Sequence, residues 1–190
     1  NRVIAVYDRV DRPDLKFPAF TPRIEPRIAN APTIFDAIRD GDVLLHHPFD
    51  SFVPVLDLVQ QASQDPDVLA IKQTLYRTGR NSPLVGYLED AARAGKDVTC
   101  VIELRARFDE DNNIELANRL QAAGVQVVYG VVGYKTHAKM LLIVRREAGR
   151  LRRYVHLGTG HYHAGTAEGH TGLGLVAAGP EIAEAVNKVF

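Results

Sequence analysis

Little in this chain marks a special environment. A single cysteine, Cys100, among 190 residues excludes an internal disulfide framework and fits a reducing compartment. It lies in an apolar run and reads as a small core residue. Neither sign of charge is in excess: 23 basic residues stand against 23 acidic ones, so bulk charge draws the chain to neither nucleic acid nor an anionic membrane. No segment approaches the roughly 18 to 20 apolar residues that span a bilayer. The first residues lack the apolar core of a signal peptide. No internal repeat or low-complexity run is present. We therefore expect a cytoplasmic protein, with peripheral association to a membrane left open. An initiating Met is also missing, since the chain begins at Asn1, and its last residues read as a helix without a cap. We expect a domain of a larger protein.

What is present is enough for a core, since apolar residues make up 46% of the chain. Five of the ten prolines (Pro13, Pro18, Pro22, Pro26, Pro32) fall in residues 1–32. Proline fixes φ and removes a donor, so this spacing forbids a long helix and disfavours a central strand. We expect an extended arm there, anchored by Phe17 and Phe20, with a flexible linker as the alternative. From Thr33 the texture changes to that of a packed domain, 33–190. A helical turn over 33–40 precedes a strand over 42–45. Asp50 or Ser51 can cap a helix with apolar positions Phe52, Val55, Leu56, Val59 and Ala62. Strands are expected over 68–76, 98–104 and 125–129, the last two read as buried, with helices over 83–95 and 113–123 between them. That is a βαβαβ pattern. Strands over 136–145 and 152–157, joined by a turn at 147–150, then predict an antiparallel hairpin. A strand over 173–178 and a helix from Pro180 follow. The expected class is α/β with a mixed sheet flanked by helices.

The chemistry concentrates at Lys135-Thr136-His137-Ala138-Lys139, which opens an apolar run. In a strand, residues i and i+2 share a face, placing a nucleophile-capable imidazole beside a positive charge. Lys139 sits next to apolar residues, where a lone charge is costly unless a partner or ligand meets it. A salt bridge and a functional role are equally open at this point. From Lys135 to Arg153 there are seven basic residues and one acid, Glu147; those near the turn read as a solvated face. The loop Leu157-Gly158-Thr159-Gly160 follows a strand carrying His156, and its N–H groups can hold phosphate oxygens. Arg77 and Arg107 each lie just past the C-terminal end of an expected parallel strand, the edge where ligands gather in open α/β sheets. Their planar forks suit phosphate. A zinc site at His161 and His163 finds no acidic or Cys partner at a recognised spacing.

The run Lys-Thr-His-Ala-Lys-Met-Leu-Leu-Ile at 135–143 resembles the HxK element of the phospholipase D superfamily. Four further words narrow the resemblance: His46-His47-Pro48-Phe49-Asp50-Ser51-Phe52; Ala70-Ile71-Lys72-Gln73-Thr74-Leu75-Tyr76-Arg77; Glu103-Leu104-Arg105-Ala106-Arg107-Phe108-Asp109-Glu110; and Arg153-Tyr154-Val155-His156-Leu157-Gly158-Thr159-Gly160. Together they are similar to polyphosphate kinase of the histidine-phosphorylating type, and within it to the first of two phospholipase D-like C-terminal domains. The resemblance implies a phospholipase D-like fold and transfer of the ATP γ-phosphoryl, through a phosphohistidine at His137, to an inorganic polyphosphate chain, reversibly. It implies a second active-site histidine at His156, a supporting Lys139, and Arg77 and Arg107 at a Mg²⁺ site. An arginine cannot ligate a cation, so those two would grip the phosphates or waters that do.

Departures accompany it. Val144 stands where the phospholipase D pattern has Asp, which fits the kinase branch. Thr166-Ala167-Glu168-Gly169-His170-Thr171-Gly172 replaces Thr-Ala-Arg-Leu-Tyr-Thr-Asp, so that His170 occupies the place of a nucleotide-contacting tyrosine, and His161 occupies that of an Asn. ATP contact at His170 is correspondingly a weaker inference than the phosphohistidine at His137. The expected partners are ATP, ADP and polyphosphate, a second phospholipase D-like domain of the same enzyme, and further copies in a homo-oligomer, with no nucleic acid. Because such sites take one histidine from each of two domains, this chain alone is expected to fold but turn over poorly. The competing readings are a phospholipase D-like phosphodiester hydrolase and a non-catalytic polyanion-binding domain.

Overall fold

The computed structural model describes all residues except 1–3, 19, 77, 79–81, 105–109 and 131–132. Its centre is a seven-stranded mixed sheet in the order β1-β7-β6-β5-β2-β3-β4. The strands are β1 (Val43–His47), β2 (Val68–Leu75), β3 (Asp97–Ile102), β4 (Gln126–Val128), β5 (Lys139–Glu147), β6 (Arg150–Gly158) and β7 (Gly172–Ala177). β2, β3 and β4 run parallel. Their crossovers are α5 (Pro83–Arg93) and α6 (Glu110–Ala122), as parallel pairs require. From β5 onward every pairing is antiparallel. The β5–β6 hairpin closes through Ala148 (φ 46°) and Gly149 (φ 76°); two left-handed residues match the twist of the flanking strands.

Alternation along β5 shows how the two faces are covered. Leu141 and Ile143 join the main core with Ile71, Tyr154 and Val176 under α3 (Ile34–Arg39), α4 (Val53–Gln64), α5 and α6. Met140 and Leu142 point the other way, with Val155 and Ala177, against Ala183 and Val186 of α8 (Pro180–Asn187). Each fully buried Leu or Ile contributes about 1.5–3 kcal/mol. No described helix is long and apolar enough to cross a membrane.

Some expected boundaries shift for visible reasons. Residues 1–32 carry short helical pieces rather than one extended run: α1 (Ile4–Arg9), a 3-10 turn at Pro13–Leu15 and α2 (Pro26–Ala29). Pro13 and Pro26 stand in first turns, where their missing N–H breaks no bond. Further along, Arg23 is strapped to the domain by backbone bonds with Phe49 and Ser51 and by its ion pair with Asp50. Asp50 does not cap α4, because its carboxylate accepts the His46 N–H (2.7 Å) and meets Arg23 (2.6 Å). Phe52 takes the cap position without a side-chain bond, and Ser51, the other expected cap, accepts the Val53 N–H through its hydroxyl at 3.1 Å. β4 is a three-residue edge strand, mostly exposed, rather than a buried one. β5 begins at Lys139, so Thr136 and His137 precede the strand.

Candidate active site

The loop ending in His137 is fixed by side chains rather than by a strand ladder. Thr74, near the C-terminal end of β2, donates its hydroxyl to the Ala138 carbonyl (2.7 Å) and accepts the Met140 N–H (2.9 Å). The Glu103 carboxylate, just past β3, accepts the Thr136 N–H (2.7 Å). The Asn113 amide of α6 ties those strand ends together, donating to the carbonyls of Tyr76 (3.0 Å) and Glu103 (2.8 Å). Buried backbone groups must find partners. Here the partners hold the loop at the strand edge where α/β sheets bind ligands.

On that loop His137 is exposed. Lys139 is 6% exposed, and its Nζ lies 3.0 and 2.9 Å from the two ring nitrogens of His137 and 2.6 Å from its carbonyl oxygen. An ammonium can only donate, so the arrangement favours an unprotonated imidazole. Desolvation, with the charge of Lys135 second, lowers the Lys139 pKa from its ordinary value. Among the described residues no carboxylate pairs with Lys139. The salt-bridge reading is therefore not the one found. An aromatic frame completes the site. Tyr76 meets His137 edge-on at 4.9 Å and stacks flat on His161 at 5.2 Å, while His161 meets His137 at 5.9 Å. Lys135 and Lys139 lie 5.2 and 5.5 Å from the Tyr76 ring centre.

His156 occupies a different environment. It pairs with Leu141 across the hairpin, rather than with His137, and is 3% exposed. Its Nδ1 lies 2.8 Å from the Tyr162 hydroxyl. Burial, with a smaller electrostatic contribution from His47, pushes its pKa down to about 3, so the ring is neutral across the working range. Beside it is a cavity of about 30 Å³, lined among others by His47, His156, His161, His170 and the glycines 158, 160, 172 and 174. His161 thus borders both this cavity and His137. His170 is exposed, caps the C-terminus of α7 (Ala164–Gly169), and lines the cavity without reaching the His137 cluster of rings. His163 instead caps the N-terminus of α7, accepting the Thr166 N–H at 3.1 Å. Arg77 and Arg107 lie outside the described residues.

Sequence reasoning missed Tyr76, Thr74, Glu103, Tyr162 and His47 as parts of the site, although all but Tyr162 stand inside the quoted words. No described group of three or more His, Cys, Asp or Glu side chains converges as a metal site. Around His137 the described side chains are imidazole, amine and phenol, and the Glu103 carboxylate is bonded to Thr136. These residues do not fit a protein-ligated Mg²⁺.

Residues 33–190 match the family model for polyphosphate kinase C-terminal domain 1. The whole chain is 63% identical over 190 residues to a polyphosphate kinase of Xylella fastidiosa (strain Temecula1 / ATCC 700964), covering 100% of this chain and 27% of that protein. It is 62% identical over 193 residues to a polyphosphate kinase of Burkholderia ambifaria (strain MC40-6), covering 100% of this chain and 28% of that one. The chain thus spans little more than a quarter of these relatives. Among solved structures it matches a polyphosphate kinase from Porphyromonas gingivalis with a TM-score of 0.82 at 34% identity, over 94% of this chain and 30% of that one. Nuc, a phospholipase D family member from Salmonella typhimurium, shares the fold, with a TM-score of 0.59 at 19% identity over 78% of this chain and 90% of that one. With a phospholipase D-like mixed sheet and the HxK histidine held at its edge, the chain belongs to the polyphosphate kinase C-terminal domain 1 family.

Proposed function

We propose that this chain is one half of the active site of an ATP:polyphosphate phosphotransferase, and that His137 carries the phosphoryl group. The observation that supports it most is the exposed imidazole of His137 with the Lys139 ammonium 2.9 Å from Nε2. A ring nitrogen of His137 attacks the γ-phosphorus of ATP. The N–P bond forms as the P–O bond to the β-phosphate breaks, and ADP leaves with that oxygen. A terminal oxygen of polyphosphate then attacks the same phosphorus, forming P–O and breaking N–P, which frees the imidazole and lengthens the polymer by one phosphate. The reverse sequence makes ATP. Negative charge spreads over the phosphoryl oxygens during transfer, and Lys139 and Lys135 lie where they lower that barrier. Arg77 and Arg107 are assigned here to the phosphates, and His170 to the nucleotide. Mg²⁺ would come with the nucleotide and polyphosphate and would screen their charge, with Arg77 and Arg107 beside it. The domain spans 33–190 with residues 1–32 as an arm, and it works in the cytoplasm of an oligomeric enzyme whose second phospholipase D-like domain supplies the other half of the site.

Incubating the enzyme that carries this chain with labelled ATP and Mg²⁺ tests the proposal. It predicts acid-labile, base-stable protein phosphate that is lost in His137→Ala; equal labelling of that variant would overturn it. Turnover of a simple phosphodiester with none of polyphosphate would favour the hydrolase reading, against which Val144 counts. Polyanion binding without labelling would favour a non-catalytic domain.

A further inference from the structure

We propose that His47 is a positioning residue for His156, and that the two imidazoles hold one water between their Nε2 atoms above Gly174. Both side chains are more than nine-tenths buried, at 6% and 3% exposure. Both Nε2 atoms are buried without a hydrogen-bond partner in the protein. Buried polar nitrogens in a folded chain are normally satisfied by protein or by ordered water. They also converge: a Cβ added to Gly174 would lie 2.8 Å from His156 Nε2 and 3.4 Å from His47 Nε2. The glycine leaves open the space a side chain would fill, and His47, His156 and Gly174 all line the cavity, which has room for a water held by polar partners.

The opposite ring nitrogens decide which way the protons point. His47 Nδ1 lies 2.8 Å from the Asp50 carbonyl oxygen, which can only accept. In the neutral ring the Nδ1 therefore carries the proton and the Nε2 a lone pair. Burial pushes the Tyr162 phenol up, so the phenol keeps its proton. The phenol proton is then free to point at His156 Nδ1, 2.8 Å away, leaving the proton of His156 on Nε2. A donor, His156 Nε2–H, thus faces an acceptor, His47 Nε2, across one cavity. A water accepting from the first and donating to the second satisfies both.

This pair bears on the reactive histidine through Gly158. A Cβ at Gly158 would lie 3.2 Å from His156 Cε1 and 3.7 Å from Lys139 Cβ, and Gly158 pairs with Lys139 in the hairpin. The His156 ring thus packs beside the strand start from which Lys139 reaches His137. The arrangement does not depend on the phosphotransfer chemistry, and its test needs no substrate.

In the chain labelled with [¹⁵N]histidine, long-range ¹H–¹⁵N correlation at neutral pH should show His156 protonated on Nε2 and His47 on Nδ1. The His156 Nε2–H should give a cross-relaxation peak to a long-lived water. That peak should vanish in His47→Leu and return in His47→Gln, whose terminal carbonyl can reach the place of Nε2. Gly174→Ala should also remove it by filling the space. His156 protonated on Nδ1, His47 protonated on Nε2, or a water peak that survives His47→Leu unchanged would each overturn the proposal. The wild-type tautomers decide the matter even if a variant fails to fold.

Discussion

The two ends of the β5–β6 hairpin carry similar basic residues and treat them oppositely. At the turn end, Glu147 gathers Arg145 (2.9 Å), Arg152 (3.1 Å), Arg39 (3.7 Å) and the Tyr154 hydroxyl (2.5 Å), while Arg145 also meets Asp65 (2.8 Å). Burial pushes the Glu147 carboxyl up, but the bonds from Tyr154 and Arg145 and the neighbouring arginine charges outweigh it and hold it below its ordinary range. At the other end, Lys139 and Lys135 stand among rings, and no described carboxylate pairs with Lys139. Paired charges half out of water hold a structure together. A buried cation with no described carboxylate beside it is costly to the fold and suits the anion that the proposed function would bring to it. Basic residues along one strand pair thus divide by their partners: the turn end is scaffold and the strand start is the proposed site.

Substitutions at the two ends should separate stability from activity. His137→Ala has the largest effect, with complete loss of base-stable label and an unchanged urea midpoint. Lys139→Met should slow labelling by about 10²–10³-fold, the usual cost of losing one preorganised donor, while the urea midpoint stays level or rises. A marked fall in stability with normal labelling would place Lys139 in the scaffold and break the comparison. Glu147→Ala should do the reverse, destabilising by about 3 kcal/mol, since it leaves several half-buried cations unmatched. A carboxylate depressed by folding stabilises above its unfolded pKa of about 4.3 and loses that contribution as pH falls through the folded value. Urea midpoints of Glu147→Gln and wild type should therefore diverge at neutrality and converge in acid, once pH has fallen through the depressed folded value; equal gaps at both would contradict the assignment. Thr74→Val orphans the Met140 N–H and should cost about 1–3 kcal/mol, with slower labelling as the loop loosens. Arg150→Ala, at the exposed turn, should change neither quantity by more than about 0.5 kcal/mol.

How much of this was legible in the sequence follows from how local each signal is. The crossovers and the hairpin were readable because their periodicity and the turn at 147–150 are local. The run over 125–129 reads as buried in the sequence, since an apolar run cannot reveal that no described strand pairs beyond it. The start of β5 was misplaced because Thr136 and Ala138 bond to Glu103 and Thr74, contacts across 33 and 64 positions. His137 and Lys139 were found from their spacing. The ring cluster was not, because Tyr76, His137 and His161 come from three separate segments. Nor does sequence distinguish an exposed histidine from a buried one: His137 and His156 look alike on paper, and only the packing of Tyr162 and His47 shows that the second is shielded.

That distinction is the core of the account, and mapping the phosphate tests it most directly. The enzyme carrying this chain would be phosphorylated with ATP, kept alkaline so that phosphoramidates survive, digested and sequenced by mass spectrometry. Phosphate is predicted on His137, with His156 unmodified. Phosphate on His156 or His161 with His137 bare would contradict the account.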